Sequence, residues 1–213
     1  IRLSAARREG GKVQNALALI GDAVRVAREP VLKNRALISR SVTANDVGDP
    51  RHALECLAAV GDDGLAPRDC WARAHNAAEA LSLLGRFAEA ELAIGKLLES
   101  STPVALRGRS FWSLAGLHDR AGRRSEAVQA CKLALRDLLA ASVHLDAVRV
   151  ALDLIELGQK EAVEPIMFVV PTTDDLSDRQ RSAVSPVLRA AVRGQDVTVG
   201  DVQAARAELR RFA

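Results

Sequence analysis

Glycine returns along this chain at a nearly constant interval. Gly11, Gly48, Gly85, Gly122 and Gly158 are separated by 37, 37, 37 and 36 residues. Self-similarity at a fixed period of this size is the mark of an array in which one small supersecondary unit is stacked on copies of itself. Other residues keep the same beat. Seven positions before each glycine sits a small residue: Ser4, Ser41, Ala78, Ala115 and Ala151. An alanine follows each glycine: Ala16, Ala53, Ala90, Ala127 and Ala162. Pro30, Pro67 and Pro103 recur in step.

Each marker has a mechanical meaning. Glycine after a helical run takes the left-handed conformation that ends a helix. Proline fits the first turn of the next helix, where its missing N–H is no loss. Small residues on both sides of the glycine allow two consecutive helices to cross closely. The unit is therefore helix, glycine turn, helix. Composition points the same way. Residues AVILMFWYC make up 48% of the chain but aromatics only 3%, so the apolar content is mostly Ala, Leu and Val. Ala and Leu favour helix, and runs of alternating β-branched residues are scarce. The fold class expected is all-α.

The pattern resembles the tetratricopeptide repeat. In "AEALSLLGRFAEAELAIGKLLE" stand that family's small residue (Ala78), turn glycine (Gly85), following aromatic (Phe87) and the Glu-Ala pair opening the second helix. "FWSLAGLHDRAGRRSEAVQACKLAL" repeats them, with Phe111 where the family often has Trp. The resemblance covers residues 1–168, about five helix pairs with the first truncated. It implies a right-handed superhelical solenoid of antiparallel pairs. The interval exceeds the family's usual length of about 34 residues. Pro165 falls within the fifth unit's second helix and is expected to kink or end it.

Residues 169–213 depart from the pattern and read as capping helices. Ser177 and Gln180 have capping-box spacing, and Val184, Val187, Leu188, Ala191 and Val192 share one helical face. Pro186 is placed to split that helix. Thr198 and Asp201 mark a second start, followed by Val202, Ala205, Leu209 and Phe212 at spacings of three and four.

No constellation for catalysis is legible. The phosphate-cradling GxxxxGK[ST] is absent, since "EGGKVQ" lacks the spacing, and no G-x-S-x-G occurs. His52 and Cys56 stand one turn apart, but two ligands do not make a zinc site. No metal and no cofactor is expected. Cys56, Cys70 and Cys131 form no paired motif and read as buried reduced thiols of a cytoplasmic protein. The 30 basic and 27 acidic residues leave a net charge of +3, which gives nucleic acid weak support and a membrane surface none. No apolar run reaches the roughly 18 residues needed to span a bilayer. Arg107, Arg109, Arg120, Arg123 and Arg124 are the densest basic group, read as a solvated face.

The resemblance implies function as well as fold: a noncatalytic module that holds a protein or peptide segment in a concave groove lined by the first helix of each unit. Carried over unit by unit, the groove positions are Arg35 and Asn45; His75, Asn76 and Glu79; Arg109, Trp112 and Asp119; and Arg149. Trp112 is the expected anchor. It follows Phe111, and neighbours on a helix diverge by roughly 100°, so with Phe111 in the packing position Trp112 turns toward the groove. The family's carboxylate clamp needs Lys where this chain has Ile38, His75 or Trp112, which counts against capture of a chain terminus. A second reading is a sensor or regulatory domain of a larger bacterial signalling protein or transcription regulator. Ile1 in place of an initiator Met and the Ala/Arg-rich style fit a piece of a longer chain.

Overall fold

The computed structural model describes residues 19–61, 65–99 and 103–210. The markers Ser4, Gly11, Ala16 and Phe212 lie outside these residues. Among the described residues the chain is helical, with no strand. Residues 19–26 form a helical segment. It is followed by α1 (Pro30–Val47), α2 (Pro50–Ala58), α3 (Pro67–Leu83), α4 (Phe87–Glu99), α5 (Val104–Arg120), α6 (Arg124–Ala140) and α7 (His144–Glu156). A 3-10 turn (Lys160–Val163), the short α8 (Ile166–Val169), α9 (Asp178–Val192) and α10 (Val199–Arg210) complete it.

Helix starts and stops follow the punctuation in the sequence. Pro30, Pro50 and Pro67 open α1, α2 and α3. Gly48, Gly85, Gly122, Gly158 and Gly194 all lie in the left-handed region, with φ between 69° and 82°. The same two hydrogen bonds close each turn. At Gly122, the Arg123 N–H donates to the His118 carbonyl at 2.8 Å and the Gly122 N–H to the Asp119 carbonyl at 3.0 Å. This is the Schellman arrangement, which satisfies carbonyls that a helix end leaves over. The turn at Gly194, between α9 and α10, was not among the glycines read from sequence. A further copy closes α6 without glycine: Ser142 has φ 56°, and the Val143 N–H donates to the Leu138 carbonyl at 2.9 Å.

The described residues divide into two compact units, one before Pro103 and one from Pro103 onward. In the first, α1 packs on α2, α2 on α3, and α3 on α4 and α1. Ala44, Ala53 and Ala80, one from each of α1, α2 and α3, are at most 1% exposed. Their small side chains let three helices meet. Leu37, Ile38, Leu57 and Val60 form the neighbouring apolar cluster. The Asn34 amide donates to the Gly61 carbonyl and accepts from the Gly61 N–H, both at 3.0 Å, and so ties the start of α1 to the end of α2.

In the second unit α5 packs on α6, and α6 on α7. A Cβ built on Gly108 would stand 2.9 Å from Leu138 Cγ and 3.2 Å from Asp137 Cβ. The start of α5 therefore lies against the end of α6, and the pair is antiparallel. A continuous core runs from Ala115 on α5 through Ala134, Leu152 and Ile166 to Val184, Leu188 and Leu209. Ala78 and Ala115 are buried at 2% and 3% exposure.

Two expectations change here. Pro186 does not split the tail helix: α9 runs unbroken from Asp178 to Val192. Pro186 and Ser182, whose carbonyl loses its helical partner, are both exposed, so the gap in the ladder lies on the solvent side of the helix. Cys70 is exposed, whereas Cys56 and Cys131 are buried. Pro165 does interrupt the fifth unit. The 3-10 turn ends at Val163 and α8 starts at Ile166. The tail caps match the sequence: Ser177 and Gln180 form the reciprocal capping box, and Asp201 accepts from the Thr198 N–H at 2.9 Å.

Candidate functional site

In the second unit the charged and aromatic residues of α5, α7 and α10 meet in two polar chains. Arg109 Nε on α5 donates to Asp146 Oδ2 on α7 at 2.8 Å. The other oxygen of Asp146 lies 3.3 Å from Arg149 Nη1, and Arg149 Nη2 donates to the Leu209 carbonyl on α10 at 3.2 Å. One turn further along, Trp112 Nε1 donates to Asp153 Oδ2 at 2.6 Å. Asp153 Oδ1 accepts from Arg206 on α10, whose Nη1 also meets Glu156 Oε2 at 2.8 Å.

These partners fix helix directions. Arg109 with Asp146 and Trp112 with Asp153 both advance along the chain, so α5 and α7 run parallel. Arg149 with Leu209 and Glu156 with Arg206 go in opposite senses, so α10 lies antiparallel along α7. In the first unit Arg35 Nε donates to Asp69 at 2.9 Å and the Asn45 amide donates to the Asn76 carbonyl at 3.1 Å. Hence α1 and α3 are parallel too. In both units the first helices stack side by side and are stitched by polar side chains.

The electrostatics follow from burial. Asp153 is pushed above the usual carboxylate range by desolvation, while Arg206 and the Trp112 N–H pull it back. Burial raises Cys131 to about 12, so it is a thiol and not a nucleophile at neutral pH. Burial also raises Cys56, beside His52 Nε2 at 3.6 Å. Among the described residues no group of three His, Cys, Asp or Glu side chains is placed to hold a metal ion.

The residues expected in the groove thus separate. Asn45 and Asn76 are buried, and Asn76 Nδ2 donates to Ser41 Oγ at 3.4 Å. They join α1 to α3. Arg35 and Asp119 are exposed. His75 and Glu79 are half-buried on α3, with the His75 ring stacked on Trp71 at 4.7 Å between centroids. Arg109, Trp112 and Arg149 are half-buried within the chains described above. Phe111 and Trp112 pack on the same core cluster, both half-buried.

No family model matches the chain, and no curated protein matches it significantly. Asp146, Asp153, Glu156 and Arg206 were missed as site residues. A signal for one existed: Asp146 stands 37 positions after Arg109, the same place one interval later with the opposite charge. Arg206 carried no such signal, because α10 lies outside the phase of the first helices. Arg107 and Arg109 sit at the start of α5, Arg120 is its last residue, and Arg123 and Arg124 lie beyond its end. With a rise of about 1.5 Å per residue the two groups are roughly 16 Å or more apart, and they form no single basic patch.

Proposed function

We propose that the chain is a noncatalytic interaction module that holds a protein or peptide segment against its first helices. In this reading the helix pairs build a tetratricopeptide-like, right-handed solenoid with a period of about 37 residues, and the first helices line its concave side. The observation that carries the reading is the placement of the two tryptophans. Trp71 on α3 and Trp112 on α5 are the only ones in the chain, and both lie part-exposed on first helices, Trp112 with its ring packed against the second unit's core. Part-exposed Trp beside arginine is the composition of an interface hot spot. Trp112 has Arg109 one turn away and the Asp153 carboxylate on its indole N–H.

The test is calorimetric. A partner captured by the intact chain from its native host is titrated against wild type, Trp112→Ala and Arg109→Ala, with thermal melts in parallel. Loss of an aromatic anchor costs about 2 kcal/mol, near thirtyfold in affinity. The arginine variant loses less, and its loss shrinks as salt rises. Undiminished binding by a folded Trp112→Ala chain removes Trp112 as the anchor.

A further inference from the structure

We propose that Arg206 is a positioning residue for Trp112: acting through Asp153, it holds the indole in the one orientation in which the ring anchors a partner. The proposal rests on the interaction reading above and makes α10 a fixed part of that site.

The relay is short. Trp112 Nε1 on α5 donates to Asp153 Oδ2 on α7 at 2.6 Å, and the other oxygen, Oδ1, accepts from Arg206 on α10. A freely turning carboxylate does not fix an indole, but this one cannot turn without giving up one of its two donors. Arg206 is itself held at a second point, with Nη1 2.8 Å from Glu156 Oε2. Asp153 and Glu156 stand three residues apart on one face of α7, and a planar guanidinium spans both acids. The helix that carries Arg206 is docked. Val202, Ala205 and Leu209 lie in the second unit's core, Arg149 Nη2 donates to the Leu209 carbonyl at 3.2 Å, and Arg179 Nε on α9 lies 2.7 Å from Glu208 Oε2. The contacts therefore run without a break from a docked helix to the N–H edge of Trp112.

Arg206 acts from behind the surface. Its side chain is 13% exposed, while Trp112 is half-buried and packs on the core cluster. Core packing confines the ring on one side and the bond to Asp153 confines its N–H edge. Because that N–H is spent on Asp153, a partner meets ring carbons only. A side chain already held in its bound orientation loses little rotamer freedom on binding. Arg206 thus raises affinity without a contact of its own.

Fluorine NMR of the intact chain, labelled with fluorinated tryptophan, tests this. Trp71 and Trp112 are the only two signals; Trp112→Phe assigns them, and Trp71 in the first unit is the internal control. Arg206→Met removes the cation but keeps an aliphatic stem of similar reach, and Arg206→Gln takes its place if that chain does not fold. Each variant is measured well below its own melting temperature. The expected result is one narrow Trp112 resonance in wild type. Arg206→Met shifts it and broadens or splits it, Asp153→Ala does the same, and Trp71 stays where it was. Combining the two substitutions changes Trp112 no further than Asp153→Ala alone, because Arg206 works through Asp153. A Trp112 resonance unmoved in a folded Arg206 variant overturns the proposal. So does a further change when Arg206 is replaced in the Asp153→Ala chain, since Arg206 would then act on the ring by general packing. No partner enters these spectra, so either failure leaves the interaction reading to the titration above.

Discussion

Ser142 occupies a position that five glycines fill elsewhere. Its φ of 56° is in the region where an L side chain is strained by about 1–2 kcal/mol. Replacing it by glycine removes that strain and adds some freedom to the unfolded chain. Ser142→Gly is therefore expected to stabilise the protein by about 0.5–1 kcal/mol in urea unfolding. Gly122→Ala is the converse. A Cβ there meets nothing within 4 Å, so its cost is purely conformational, about 1 kcal/mol. Asp137 is the other informative single residue. Burial pushes its carboxyl up, but hydrogen bonds from Arg107 at 2.6 Å and from Arg136 at 2.9 Å together hold it below the usual range. A depressed carboxylate stabilises the fold above its ordinary pKa and loses that effect as pH falls through the folded value. Asp137→Asn is expected to lower the urea midpoint at pH 7. Its gap to wild type should close below about pH 4, and a constant gap down to about pH 2 would show the carboxylate charge to be irrelevant.

The helices were legible because their ends are written in Gly and Pro and their faces in Ala and Leu. The glycine turns, the α9 capping box and the break at Pro165 all needed only local chemistry. The close crossings were harder. Ala78 and Ala115 were readable as small, buried positions, yet the tightest approach falls at Gly108, where α5 rests on Leu138 and Asp137. Nothing in the repeat singles out Gly108, because what matters is the height at which α6 ends. Gly108→Ala forces Leu138 to shift and is expected to cost about 1–3 kcal/mol, as is Ala115→Leu. Thermal melts decide, and an unchanged midpoint for Gly108→Ala would mean the α5–α6 crossing has slack. The site was less legible than the fold. Asn45 and Asn76 occupy first-helix positions but turn inward to join α1 and α3. A helical wheel places a residue on a face but does not say how close the next helix comes.

At the scale of the whole molecule, stability and recognition share Trp112. Its ring packs on the second unit's core and its N–H serves Asp153, so Trp112→Ala is expected to lose about 2 kcal/mol of stability as well as affinity. Any binding measurement on it needs the accompanying melt. A cleaner test changes only exposed positions. A photoreactive benzoylphenylalanine is placed at Arg35 or Asp119, exposed on the first helices α1 and α5, or at Gln129 or Lys132, exposed on the second helix α6. Each chain is irradiated with its captured partner and the crosslinked adducts are counted. Binding along the first helices gives adducts from Arg35 and Asp119 and none above background from Gln129 and Lys132. Adducts from the α6 positions alone, or equal yields from all four, would contradict it.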